Sequence, residues 1–214
     1  MCDSHKHHEA IKTYAASVGI NPSQIIAQAA PGVNPALQPV LLNFNNVYVN
    51  EKGHASRVYS TEKSGYTVPA HGVYEIETSL NLFCLSVGNE PIQLTNLARY
   101  SVVVWKKSCG SEEPVQLASQ NGLLVRSQSL AEEVNPAGLY GINDSSSTQL
   151  SFFVGTNPTQ KHYVLPGDLI YVTVRLLLVP NGNISYYSFR VQSAGQADNQ
   201  ETSASFFNVK RISA

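Results

Sequence analysis

The sequence predicts an all-β protein, and three observations lead to that prediction. Apolar and polar residues alternate with a period of two along most of the chain from residue 40 onwards. Turn dipeptides separate these runs, namely Asn121-Gly122, Pro166-Gly167 and Asn181-Gly182. Charged residues make up only 14% of the 214 residues, which suits strands better than long solvated helices. About eight to ten strands without interleaved helical patterns predict a sandwich or barrel.

The clearest predicted strand covers residues 72–84, where apolar and polar side chains alternate strictly. Its apolar face comprises Tyr74, Ile76, Leu80, Leu82 and Cys84, and its polar face includes Glu75, Glu77, Ser79 and Asn81. We therefore predict that Tyr74 and Ile76 are core residues. Further strands are predicted at residues 40–49, 100–105, 123–130, 149–154, 169–179, 186–191 and 203–212.

The predicted strand at residues 169–179 is apolar on both faces. One face carries Ile170, Val172, Val174, Leu176 and Leu178, and the other carries Tyr171, Thr173, Arg175, Leu177 and Val179. A second face of this composition is too apolar to be left in water, and large exposed apolar patches normally mark interfaces. We predict that Tyr171, Thr173, Arg175 and Leu177 lie in a subunit interface. Tyr187 and Phe189 are assigned to the same interface, although together with Tyr186 they would also suit stacking on sugars.

Residues 1–39 differ in composition from the rest, being rich in Ala, Ile, Gln and Pro. Residues 9–18 are predicted to form one short helix, and Asn21-Pro22 is predicted to begin a second that continues to residue 30. Helices this short do not persist alone in water. We interpret residues 1–39 as an attachment arm and residues 40–214 as the single folded domain. The predicted arm contacts are Ile11, Tyr14, Val18, Ile25 and Ile26.

Several classes of function are disfavoured by the sequence. The formal net charge is −1 and no basic run is present, so nucleic-acid binding is not expected. No apolar run is long enough to span a membrane. The beginning of the chain lacks the apolar region of a secretory signal, so we expect synthesis in a cytosol. The three cysteines, Cys2, Cys84 and Cys109, form neither a metal pair nor an even disulfide framework.

No metal, cofactor or catalytic set is predicted. His5, His7 and His8 are clustered as metal ligands can be, but without a carboxylate or thiol at matching spacing we interpret them as a polar tail. His71 and Asp168 lie in turn motifs that backbone requirements explain. The expected protein is therefore not an enzyme.

Residues 65–76, Gly-Tyr-Thr-Val-Pro-Ala-His-Gly-Val-Tyr-Glu-Ile, resemble the signature of the jelly-roll superfamily that includes the complement globular heads and tumour necrosis factor. In that pattern a short strand ends at a proline, here Pro69, and a glycine forms the corner, here Gly72. Residues 40–50, 163–172 and 205–209 are similar to three further pieces of the pattern, in the same order. The resemblance implies a jelly-roll β-sandwich that assembles as a homotrimer around a threefold axis.

Together these features predict a non-enzymatic trimeric structural protein of a larger particle. The expected setting is a virus or bacteriophage, where the chain would serve as a cement or decoration protein, a spike or a fibre head. Residues 1–39 would bind a capsid or other particle protein. The alternative is a freestanding trimeric module, cytoplasmic or released without a signal peptide, that binds a ligand, receptor or glycan. Neither hypothesis involves a cofactor or membrane insertion.

Overall fold

The computed structural model describes residues 14–29, 38–52, 58–94, 96–126, 132–135, 139–193 and 205–213. These residues form fifteen β-strands and no helix. The strands are β1 (Tyr14–Gly19), β2 (Gln24–Ala29), β3 (Val40–Leu41), β4 (Asn46–Lys52), β5 (Tyr59–Ser60), β6 (Gly65–Thr67), β7 (Val73–Gly88), β8 (Arg99–Lys107), β9 (Val115–Leu123), β10 (Val125–Arg126), β11 (Glu132–Asn135), β12 (Leu139–Gly155), β13 (Leu169–Leu178), β14 (Tyr186–Val191) and β15 (Phe206–Ser213). In the described part of the chain, no helix is long and apolar enough to cross a membrane.

The strands form two antiparallel sheets that curl into a β-sandwich. A nine-stranded sheet has the order β10-β12-β7-β15-β1-β4, with β11 beside β12, β14 beside β7 and β2 beside β14. A six-stranded sheet has the order β5-β6-β13-β8-β9, with β3 beside β13. The prediction of an all-β sandwich is therefore confirmed.

Strand β7 is the central strand of the larger sheet, and its burial alternates at every residue. β12 pairs along its whole length on one side. On the other side β15 pairs with the first half of β7 and β14 with the second half. The predicted apolar face is confirmed, because Tyr74, Ile76, Leu80, Leu82 and Cys84 are all buried in the core.

The glycine corner before β7 has the geometry that the sequence predicts. Gly72 has a φ of 147°, a conformation that L side chains rarely adopt. A Cβ at this position would collide with the carbonyl oxygen of Ser213 and the side chain of Arg211. Glycine therefore permits both the backbone turn and the close approach of the last strand.

The turn at Pro166-Gly167 is also confirmed. Gly167 has a φ of 95°, and the Leu165 amide donates a hydrogen bond to Asp168 Oδ2 at 2.9 Å. The ammonium of Lys106 lies 3.8 Å from the same carboxylate oxygen, and both side chains are buried. Asp168 therefore has a structural role in the turn, as its sequence context indicates.

The prediction of two helices before residue 30 is wrong for the described residues, because Tyr14–Gly19 and Gln24–Ala29 are strands. β1 lies between β15 and β4, and β2 pairs with β14. A β-bulge explains the misleading spacing in β2. Ala27 pairs with Phe189 and Ile25 with Arg190, so Ile26 is an extra residue. The bulge turns Ile26 and Ala29 inward at a spacing of three, which mimics a helical face.

Two predicted strand boundaries also need correction. The predicted strand at residues 40–49 is two strands in different sheets, β3 and β4. Asn121-Gly122 lies within β9 and is not a turn. Gly122 is required there because a Cβ would collide with the ring of Tyr100 on the neighbouring strand. Residues 127–131, at the end of the predicted strand 123–130, lie outside the described residues.

The burial of β7 predicts a large difference between two isoleucine truncations. Ile76 is fully buried, whereas Ile25 is 54% exposed. Ile76→Ala should lower the free energy of unfolding by about 2–5 kcal/mol, because it leaves a cavity in the core. Ile25→Ala, the matched control, should change it by no more than about 0.5 kcal/mol. Urea unfolding measures both, and equal losses would contradict the difference in burial between Ile76 and Ile25.

Candidate self-association surface

The side of the nine-stranded sheet that points away from the sandwich, here called the outer face, is organised in rows by the strand register. One row runs across β12, β7, β15, β1 and β4 through Phe153, Glu75, Lys210, Ala15 and Glu51. The next row comprises Ser151, Glu77, Asn208, Ser17 and Val49. Four of the ten side chains in these rows are charged, so the outer face is polar and carries charges of both signs.

Side-chain hydrogen bonds connect neighbouring strands across the outer face. Gln149 donates to Glu77 Oε1 at 2.6 Å, and Asn208 donates to Glu77 Oε2 at 3.4 Å. Ser147 donates to Asn81 Oδ1 at 2.8 Å. Because these contacts pair side chains of adjacent strands, they hold those side chains in fixed positions on the face.

A groove of about 290 Å³ lies on this face over strand β1. We call it the Ala15 groove, and its lining residues are Ala15, Ala16, Ser17, Val49, Glu75, Glu77, Asn208, Val209 and Lys210. It exists because β1 presents only Ala15 and Ser17 outward, between the longer side chains of its neighbours. Asn208 Oδ1 is buried beside the groove and has no hydrogen-bond partner, although buried polar atoms usually have one.

Phe153 lies at the opposite side of the same face and is 64% exposed. Its strand, β12, pairs with β10 only at residues 144–145 and with β11 only between residues 139 and 141. Within the described residues, the stretch of β12 from residue 146 to 154 therefore has no second partner strand and forms an edge of the sheet. An exposed aromatic side chain on an open edge is a common feature of contact surfaces.

The residues of β13 that the sequence assigns to a subunit interface differ in their exposure to solvent. Tyr171 and Leu177 are half-buried and Arg175 is exposed on the outward side of β13. Thr173 is buried on that side and accepts a hydrogen bond of 2.8 Å from the indole nitrogen of Trp105. Trp105 lies directly opposite Tyr171, so the two aromatic residues are neighbours on the six-stranded sheet.

The assignment of Tyr187 and Phe189 to a subunit interface needs correction. Both residues point into the sandwich of their own chain, with 5% and 0% exposure. The β14 register pairs Phe189 with Cys84 and Tyr187 with Ser86, which also face inward. Only Tyr186 of this aromatic group faces outward, where its hydroxyl donates to Gln28 at 3.3 Å.

Three of the five residues predicted as arm contacts make contacts within their own chain. Val18 and Ile26 are buried in the core. The guanidinium of Arg211 lies 5.4 Å from the centre of the Tyr14 ring, a cation–π distance. Ile25 is exposed, and Ile11 lies outside the described residues.

A cluster of polar side chains is buried between the sheets at the β10 end of the larger sheet. Asp144 faces Cys84 across the β12–β7 ladder and lies 3.5 Å from the Arg126 Nε. Neither Asp144 oxygen accepts a hydrogen bond, and the Ser86 and Tyr187 hydroxyls are also without partners. A negative charge on Asp144 disfavours ionisation of Cys84, and burial makes any charge in this cluster costly.

Burial is the main cause of the pKa shifts in this cluster. It raises the pKa of Asp144 above its usual value, and the adjacent Arg126 opposes that shift. Burial, together with the Asp144 carboxylate, raises the pKa of the Cys84 thiol to about 12. It also raises the pKa of Tyr187 to about 12, with a smaller contribution from Cys84. The thiol is therefore protonated at neutral pH and is a poor nucleophile.

Metal-ligand clusters were also sought in the described residues. No group of three or more His, Cys, Asp or Glu side chains that could hold a metal ion occurs there. His5, His7 and His8 lie outside the described residues, so their assignment as a polar tail stays a prediction.

The sequence prediction missed Phe153 and the Ala15 groove. The available signal was the pair Phe152-Phe153 in a strand of alternating residues, since one of two consecutive aromatic side chains must point outward. The groove has no comparable signal, because it depends on which strands flank β1.

Comparison with known proteins gives no further assignment. No protein-family model matches the chain, and no curated protein is significantly similar to it in sequence.

The buried Asp144 predicts a specific pH dependence of stability. Because its folded-state pKa is raised, the folded protein binds this proton more readily than the unfolded chain. The free energy of unfolding should therefore decrease as the pH rises through the raised pKa, and the variant Asp144→Asn should lack this decrease. The stabilities of the two proteins are compared by thermal unfolding between pH 3.5 and pH 8. This range extends from about the ordinary pKa of Asp to neutrality. Parallel curves would mean that Asp144 titrates normally.

Proposed function

We propose that the chain is a non-enzymatic homotrimeric structural protein of a larger particle. The setting that we favour is a virion, where it would act as a cement or decoration protein, a spike or a fibre head after synthesis in the host cytoplasm. The observation that carries the proposal is the outer face, because a sheet surface with a groove and an exposed aromatic side chain beside an unpaired edge suits burial against another subunit.

The strand order supports the finer proposal of a jelly roll related to the complement globular heads and tumour necrosis factor. The last strand, β15, pairs with the first, β1. Between β7 and β14 the chain crosses between the sheets four times, from β7 to β8, from β9 to β10, from β12 to β13 and from β13 to β14, whereas β8 and β9 are neighbours in the smaller sheet. Crossing connections of this kind are the property that distinguishes jelly rolls from hairpin-connected sandwiches.

We reduce the proposed attachment arm from residues 1–39 to residues 1–13. Residues 14–29 are engaged in the sheet and supply Ala16, Val18, Ile20, Ile26 and Ala29 to the core. Removing them would expose inner surfaces of β15 and β14, so they cannot serve as a separable tether. Three copies of a short segment on one trimer would provide multivalent attachment to a symmetric particle.

Sedimentation equilibrium tests the assembly directly. The full chain should sediment with three times the mass of one chain at micromolar concentration. Deletion of residues 1–13 should preserve the trimer and its melting temperature, but should abolish association with the particle from which the chain derives. A folded monomer would refute the trimer. Full occupancy of the particle by the truncated protein would refute the attachment role alone.

One observation favours the second candidate function, a freestanding trimeric module that binds a glycan or receptor. Trp105 and Tyr171 are adjacent and half-buried on the outward side of the six-stranded sheet. The hydrogen bond from Trp105 to Thr173 fixes the indole orientation, and exposed Arg175 lies on the same side of β13. Rigid aromatic rings with polar neighbours are suited to stacking against sugar rings.

Glycan-array binding distinguishes the two candidates. If the second function is correct, the protein should bind specific glycans, and Trp105→Ala should abolish that binding without loss of the trimer. Tyr186→Ala is the matched control, because Tyr186 is an outward-facing aromatic residue on the other sheet. Absence of binding, or equal loss in both variants, would contradict a glycan site at Trp105.

A further inference from the structure

We infer that Arg211 and Tyr66 form a binding site for a small oxyanion, such as a carboxylate or phosphate group, at the end of the sandwich beside the Gly72 corner. The site lies between the two sheets of a single chain. It therefore does not depend on the proposed trimer, and either proposal can fail without the other. Three observations support it, namely an inward-facing positive charge, a buried hydroxyl without a partner, and aromatic rings that hold both groups in place.

Arg211 points inward although it carries a permanent positive charge. It alternates along β15 with Phe207 and Val209, which are buried in the core, and it pairs with Tyr74 of β7. Its Nε is buried and has no hydrogen-bond partner among the described residues. None of the ion pairs within the described residues includes Arg211. A guanidinium that is drawn out of water without an anion is unfavourable, and an anion bound from solution would supply the missing partner.

Tyr66 approaches the same space from the smaller sheet. It is fully buried, and its hydroxyl has no hydrogen-bond partner among the described residues. Burial and the neighbouring Tyr74 raise the pKa of this hydroxyl, and the charge of Arg211 opposes the rise. The hydroxyl therefore stays protonated at neutral pH and is close enough to Arg211 to be affected by its charge. Both groups can donate to one shared acceptor, whereas neither is hydrogen-bonded to the other.

Two further tyrosines hold these donors in place. The Tyr74 hydroxyl donates to the Ala70 carbonyl oxygen at 2.6 Å, and its ring packs edge-on against the Tyr66 ring with centroids 6.1 Å apart. The guanidinium of Arg211 lies 5.4 Å from the centre of the Tyr14 ring, as guanidinium groups often do. Because this packing fixes both donors before a ligand arrives, it reduces the entropic cost of binding.

The exposure of the site and its donor set indicate the class of ligand. Arg211 and Tyr14 are half-buried, whereas Tyr66 and Tyr74 are buried, so a small solute can approach the guanidinium from solvent with the hydroxyl at the inner end. Glu75 lies on the opposite side of β7, because burial alternates along that strand. The parallel N–H groups of a guanidinium match two oxygens of a carboxylate or phosphate. A third donor from Tyr66 favours an oxyanion over a halide.

Thermal unfolding and calorimetric titration of the full chain test the site. Sodium phosphate and sodium acetate are each compared with sodium chloride at equal ionic strength. The melting temperature of the wild type should rise and saturate, because a ligand that binds only the folded state stabilises it. A response to both anions would support a general oxyanion site, and a response to only one would support a site for that group.

Arg211→Met should lose the saturable response while the protein stays folded. Methionine keeps much of the length of the side chain and removes a charge that has no partner within the described residues, so little stability should be lost in chloride. Circular dichroism reports whether the variant is folded.

Tyr66→Phe keeps the test informative if Arg211→Met does not fold. In chloride its melting temperature should equal or exceed that of the wild type, because the variant lacks a buried hydroxyl without a partner. Its dissociation constant for the anion should be higher by about tenfold or more, as expected for the loss of one hydrogen bond to a charged group.

Arg190→Met is the matched control. The Arg190 guanidinium also lies over an aromatic ring, 4.5 Å from the centre of Phe83, and its Nε also lacks a partner within the described residues. Its ladder partners are Phe83 and Ile25, which supply no hydroxyl. This variant should keep the wild-type response. Stabilisation of any folded protein by excluded phosphate would act on all variants alike and would not saturate.

Three results would overturn the inference. The first is a wild type without a saturable response to either anion, as expected if water alone fills the space between Arg211 and Tyr66. The second is an Arg211→Met variant that responds as the wild type does. The third is an equal loss of response in Arg211→Met and Arg190→Met, which would indicate binding to general surface charge.

Discussion

The structure depends on the burial of alternate side chains along β7. This strand is sixteen residues long and alternates between buried and partly exposed at every position. Three strands bond to it, and each must match its alternation to keep polar side chains out of the core. The inner rows of β12, β14 and β15 are thereby fixed, and so is the row of residues that each strand presents on the outer face.

The same constraint explains how far the sequence could predict the fold. A period of two is a local property, so β7, β13 and β14 could be located from their residues alone. The face of β14 that points into the core could not be predicted from local sequence, because the pairing of β14 with β7 is what directs Tyr187 and Phe189 inward. The bulge at Ile26 similarly depends on the partner strand. Tertiary pairing overrides the helical spacing of a short Ala- and Ile-rich segment.

The candidate surface was less predictable than the core for a related physical reason. Core residues are recognisable because they are apolar, whereas the outer face is built largely from Ser, Asn, Gln, Glu and Lys. Its organisation comes from hydrogen bonds between strands that are distant in sequence, such as Asn208 to Glu77. Ala15 is ordinary in the sequence, and it becomes the floor of a groove only because Val49 and Lys210 stand on the flanking strands.

The two edges of the larger sheet are protected to different extents. The unpaired stretch of β12 beside Phe153 and the outer strand β4 leave backbone groups available to other chains. At β4 the Asn50 side chain covers part of the edge, since it accepts hydrogen bonds from the Val58 and Tyr59 amides. At β12 the following chain covers only the end of the strand, where Gly155 accepts a hydrogen bond from the Val164 amide. The described stretch from residue 146 to 154 pairs only with β7 and carries the exposed Phe153 ring, so open backbone groups and an exposed aromatic ring occur side by side at this edge of the sheet.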